Sequence, residues 1–173
     1  NPYPSYLNVL DVINNNASVS KTVWYRTRST GTTPTYHFET VNTTLGEGTD
    51  NAETGEVTGY IPPMQGFWVK TNAATSLVLN NSYRYHSTID GVTTTPLKAP
   101  ESLNSQNQLI RLKVSNGTNS DEAIIYFNDN ASSDFDIYDS EKMTNSNKNI
   151  PEIYTMSGNK ELVINGMSNM NNT

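Results

Sequence analysis

A succession of short alternating runs, each closed by polar turn residues, constrains this chain more than anything else in it. Thr22-Val23-Trp24-Tyr25-Arg26-Thr27-Arg28 sets Val23, Tyr25 and Thr27 on one face and Trp24, Arg26 and Arg28 on the other. Ser29 to Pro34 reads as a turn, and Tyr36 to Thr40 alternates again. Val57 to Ile61 is a short strand stopped by Pro62-Pro63, and Gly66-Phe67-Trp68-Val69-Lys70 is a strongly apolar one. Ser76 to Asn80 and Tyr83-Arg84-Tyr85 follow. Side chains that alternate with period two require extended backbone, and many short strands at near-regular spacing predict a sandwich or barrel. Helix signals are weak. Leu7 to Ile13 predicts one or two turns, stopped at Asn14-Asn15-Asn16, and Ser133 to Met143 predicts a further short turn.

Residues 89–106 hold Gly91, three consecutive Thr, Pro96 and Pro100, and read as a linker. Beyond it the pattern resumes. Leu109 to Val114 and Glu122 to Phe127 flank Asn116-Gly117, a strong hairpin signal. Ile153 to Met156 and Glu161 to Ile164 flank Ser157-Gly158-Asn159 and predict a second hairpin. The expected architecture is all-β: two tandem antiparallel β-sandwich modules (jelly-roll or Ig-like), residues 1–88 and 107–173, with short helical turns only. The second module carries too few strands for a closed sandwich, which normally needs about seven. An open sheet leaves unpaired edges, which natural proteins cover. Both termini are therefore expected to be cut points in a longer polypeptide, with missing strands supplied by more chain or by another subunit.

Composition fits an outward-facing β protein. Asn, Thr and Ser number 24, 22 and 17 of 173 residues, so neutral polar groups, rather than charge, make the surface. Mean hydropathy is -0.60 and net charge is -6. No basic patch exists in either half, which argues against nucleic acid. Cysteine is absent, excluding disulfides and thiolate chemistry. No apolar run approaches the roughly 18 residues of a membrane span.

The inventory for catalysis is thin. His37 and His86 are the only histidines, with no nucleophile elbow beside them. They read as structural, and no catalytic residue is assigned. Acids crowd one segment: Asp134, Asp136, Asp139 and Glu141 in Ser133 to Glu141. Several oxygen ligands in one loop suit a hard cation such as calcium. The alternative is an acidic loop in solvent, and the EF-hand pattern is not met. Aromatic residues concentrate in the first module. Trp24, Tyr36, Tyr60 and Trp68 are the candidates for a stacking surface that would hold pyranose rings; the alternative is packing.

Several of these segments occur in a familiar order. They are Asn1 to Ser5, Trp24-Tyr25-Arg26, Gly59 to Val69, Ser115-Asn116-Gly117, Asp121-Glu122-Ala123, Ala131-Ser132, Tyr138 to Met143, Ile150 to Tyr154 and Leu162 to Gly166. Together they resemble the C-terminal region of large secreted proteins of Bacteroidetes that carry a terminal sorting domain of the type IX secretion system. The resemblance implies tandem β-sandwich modules ahead of that domain, in proteins that include adhesins and degradative enzymes. It implies no catalytic residues. In such proteins a strand ending in Gly usually precedes the Asn-Pro-Tyr-Pro-Ser motif, and further strands usually follow the position of Asn165-Gly166.

The function expected from sequence is a non-catalytic, extracellular structural or adhesive module on a bacterial cell surface: a stalk, spacer or filament subunit. A carbohydrate-binding module accessory to a secreted enzyme is the alternative. Expected partners are other segments of the parent polypeptide or identical subunits, through strand edges, and glycans. Calcium is the one cofactor the acidic loop suggests.

Overall fold

The computed structural model describes residues 1–29, 33–51, 59–85 and 108–168, together with the backbone of 88–89 and 92–93. The protein is all-β, and among the described residues the one α-helix, α1, is a six-residue piece at Val9–Asn14. Asn8 caps that helix by accepting from the Leu10 N–H, as short polar residues at helix starts do. The helix ends at Asn14, within the predicted Asn run.

The N-terminal part contains two sheets. One orders β4 (Glu47–Gly48), β3 (Tyr36–Asn42), β2 (Val19–Arg28) and β6 (Phe67–Thr71). The other orders β5 (Tyr60–Ile61), β1 (Tyr6–Asn8) and β7 (Arg84–Tyr85). Their apolar cluster is built from Leu7, Ile61, the α1 residues Val9, Val12 and Ile13, and Val19, Val23, Tyr25 and Val41. Val23 pairs with Val41 and Tyr25 with Glu39, so one face of β2 and β3 points to this core. Thr22 and Trp24 point the other way and are buried too. The four-stranded sheet is therefore covered on one face and, around Thr22 and Trp24, on part of the other, while Tyr36 and Trp68 on that second face stay exposed; its alternating sequence alone does not reveal this. Asn16 ties the turn after α1 to the distant 76–80 segment, donating to Val78 O at 2.9 Å and accepting from Val78 N at 2.8 Å. Ser76 to Asn80, predicted as a strand, is irregular; side-chain bonds hold it instead of a ladder.

The predicted linker lies outside the described residues except at 89 and 92–93, where β8 (Thr88–Ile89) pairs with β9 (Val92–Thr93). His86 is likewise outside them.

The C-terminal part is one five-stranded sheet. Its order is β10 (Leu109–Ser115), β11 (Ser120–Phe127), β14 (Lys160–Met167) and β12 (Ser140–Glu141), and β13 (Thr155–Ser157) also pairs with β14. Both predicted hairpins form. Gly117 and Gly158 take φ of 86° and 57° in the two turns, a conformation that glycine adopts without steric penalty. One expectation is corrected: the sheets are not purely antiparallel, because β11 and β14 run parallel with Ile124 beside Ile164. Residues 128–159 separate these strands, enough chain for the crossover a parallel pair requires. Leu162 is bridged by Glu141 on one side and Thr155 on the other, which makes β14 the central strand. The apolar cluster here is small: Ile124, Val163 and Ile164, completed by Leu45 from the N-terminal part.

Candidate functional site

The sheet of β2 and β3 meets the C-terminal part through side chains rather than through a ladder. Thr22 Oγ1 lies 2.9 Å from Ser140 Oγ. Asn42 Nδ2 donates to the carbonyls of Ile137 and Asp139, each at 3.3 Å, and to Ser140 Oγ at 3.1 Å. Trp24 Nε1 donates to Glu141 O at 3.0 Å, and Arg26 donates to Asn145 Oδ1 at 3.0 Å. Further along, Arg111 reaches Gly48 O at 3.0 Å and Glu47 Oε2 at 2.9 Å. Thr35 Oγ1 donates to Asn119 Oδ1 at 2.6 Å, extending a chain that begins at His37 Nε2. His37 is buried in that network.

Where the two parts meet beside Trp24, a cleft of about 480 Å³ opens. Its first wall is the start of β2 with Lys70 and Asn72, and its second is the 135–141 loop with Lys160. The acids of the loop build its shape. Asp136 accepts from the N–H groups of Ser132 and Tyr138, both at 2.8 Å. Asp139 accepts from Asp136 N at 2.8 Å and Gly166 N at 2.9 Å. These short carboxylate-to-backbone bonds replace the hydrogen bonds that a helix or ladder would have provided. The loop so folded holds Phe135 and Ile137 at the cleft, 40% and 54% exposed.

Glu141 stands between two lysines, with Lys70 Nζ and Lys160 Nζ each 2.6 Å from a carboxylate oxygen. Lys160 Nζ also lies 3.4 Å from the centroid of the Phe135 ring. Burial pushes the Glu141 carboxyl up, but hydrogen bonds and charge from Lys160 and Lys70 outweigh it and hold it below the usual carboxylate range. Asp139 moves the other way. Burial raises it and the Asp136 charge adds to this, against the N–H bonds from Asp136 and Gly166 and the charge of Lys160.

The candidates named from sequence thus divide. Trp24, Asp136, Asp139 and Glu141 share the cleft. Trp24 is 4% exposed and anchored through its ring nitrogen, so it forms part of the wall rather than an open platform. Asp134 is exposed and does not line the cleft. Among the described residues no three acids or histidines group as metal ligands would. Trp68 pairs across β2 with Trp24, is 43% exposed, and meets Phe38 edge-to-face at 5.5 Å. Tyr36, 53% exposed, sits opposite Arg28 on the same sheet. The Arg26 guanidinium lies 4.4 Å from the Phe38 centroid. Tyr60 belongs to the other sheet and packs on Tyr85 at 4.7 Å. Sequence reasoning missed Phe135 and Ile137. The available signal was their alternation with acids in Asp134-Phe135-Asp136-Ile137, apolar residues set among turn builders.

No helix among the described residues is long and apolar enough to cross a membrane. No curated protein and no solved structure matches this chain. The family described as Domain of unknown function (DUF8693) matches residues 1–173, and the chain belongs to that family.

Proposed function

We propose that the protein is a non-catalytic structural or adhesive module of a secreted bacterial surface protein, built from two β modules of sandwich type and working outside the cell. One observation carries this reading: a set of polar side chains joins the N-terminal sheet to the C-terminal part, and the loop acids beside it brace backbone. Thr22, Asn42 and Ser140 bond one another or main-chain carbonyls across the junction. Asp136 and Asp139 hold loop backbone, and Glu141 is shared by two lysines. A junction fixed in this way transmits load and orientation, which suits a spacer or stalk. The resemblance to modules ahead of type IX sorting domains supports the same location. Protease shaving of intact source cells, followed by peptide mass spectrometry, tests it: peptides of this chain should be released from the surface, and their restriction to the cell interior would defeat the proposal.

Carbohydrate binding is a second reading, favoured by Trp68 and Tyr36, which stand exposed on one face of the four-stranded sheet. A planar ring on a rigid strand stacks on the C–H face of a pyranose. Binding to a printed array of plant, bacterial and animal glycans tests this reading.

A further inference from the structure

We propose that the cleft between β2 and the 135–141 loop is a binding site for a neutral saccharide. The proposal rests on the carbohydrate-binding reading and moves its centre from the open sheet face to the junction. Four observations lead there. The volume, about 480 Å³, falls in the range of small-ligand sites. Phe135 and Ile137 add exposed apolar surface to a cleft whose opposite wall includes Val19 and Trp24, and the loop holding them is fixed by four carboxylate-to-backbone bonds. A pre-shaped site avoids the ordering penalty that a floppy loop would add on binding.

The third observation is charge. Lys21, Lys70 and Lys160 line the cleft together with Asp136, Asp139 and Glu141. Three positive and three negative groups leave little net field to select a charged ligand. The fourth is hydrogen-bond capacity. An ammonium carries three donors, so Lys70 and Lys160 retain N–H groups beyond their bonds to Glu141. Each Asp136 oxygen accepts one backbone N–H and keeps a second lone pair. Donors and acceptors are thus interleaved around an apolar patch. A pyranose has the matching pattern: hydroxyls that both donate and accept around its rim, and a C–H face that packs on a ring. Nucleotides and acidic saccharides would need a basic excess that the cleft lacks.

The test uses the whole chain. The best neutral hexasaccharide from a glycan array, chosen among gluco-, manno-, galacto- and xylo-configured oligomers, is titrated by calorimetry beside hexagalacturonate. Three variants are compared with the unaltered chain: Phe135→Ala, Ile137→Lys and Trp68→Ala. The mutated side chains are all partly exposed, and matching thermal melts verify that each variant folds. The expected result is binding of the neutral oligomer, weakened about tenfold or more by Phe135→Ala and by Ile137→Lys, as loss of a central contact would do, and changed less than threefold by Trp68→Ala. Loss with Trp68→Ala alone would overturn the cleft proposal and leave the carbohydrate reading standing on the sheet face. Binding of hexagalacturonate alone would overturn the neutral class. No binding on the array or in solution at millimolar concentration would overturn both.

Discussion

Gly166 shows how tightly single positions are constrained at the junction. A Cβ there would lie 2.4 Å from the Tyr138 Cβ, while the Gly166 N–H is held by Asp139. No rotamer change relieves a clash between two Cβ atoms. Gly166→Ala should therefore destabilise the protein by about 1–3 kcal/mol, read as a lower denaturant midpoint with an unchanged slope. The buried pair Lys142–Asp121 is a second such position. Its side chains are 3% and 1% exposed, and Asp121 also accepts from Ile153 N at 2.7 Å. Lys142→Met would leave a buried carboxylate without its cation and should cost about 3–5 kcal/mol, whereas the double change Lys142→Met with Asp121→Asn should recover much of the loss. Glu141 gives a pH signature. Its folded-state carboxyl is held below its ordinary value, so its contribution is present above the ordinary carboxylate range and is lost as pH falls through the folded value. Both lysines are about half exposed, so Glu141→Gln should cost only about 0.5 kcal/mol at neutral pH. The gap between the two melting curves should close in acid. Comparing variant with parent at each pH removes the opposite trend of Asp139, whose raised carboxyl favours the folded state as pH falls.

Elements with local signals were legible in the sequence. The two faces of β2, the hairpins at Asn116-Gly117 and Gly158-Asn159, and the stop of α1 at the Asn run all follow from residues within a few positions of each other. What covers the second face of β2 does not. Trp24 meets Glu141, 117 residues away, and no periodicity within β2 records such a partner. The same reason hid the cleft, whose walls come from segments far apart in the chain. The acidic loop is ambiguous from sequence for a different reason. Aspartates spaced two or three apart suit a cation and suit Asx turns equally well, and Asp136 and Asp139 bond backbone N–H groups. Asn42 is the clearest test at this scale. It belongs to β3, yet its amide satisfies carbonyls of the 137–139 segment. Asn42→Ala should cost about 1–3 kcal/mol by leaving those groups unpaired. The amide exchange of Tyr138 to Glu141 should rise selectively, as measured by hydrogen–deuterium exchange.

Across the whole molecule, the small cluster of Ile124, Val163, Ile164 and Leu45 means that the C-terminal sheet leans on the N-terminal part for its core. Two self-sufficient modules would melt in two steps. This protein should show one calorimetric transition, with calorimetric and van't Hoff enthalpies in agreement. Junction variants such as Asn42→Ala should shift that transition down without splitting it; a resolved early transition of the C-terminal sheet would contradict the shared core.

The central place of β14 also sets an order of events. The strand follows, in chain order, every strand that it bridges, and its pairing with β11 closes a loop of more than thirty residues. A chain that emerges from the ribosome N-terminus first presents β10 and β11 before their organiser arrives. During that interval both edges of the hairpin are unpaired and its faces have little apolar cover. Closure of the sheet then waits for residues 160–167, and the protein locks only once its central strand is in place.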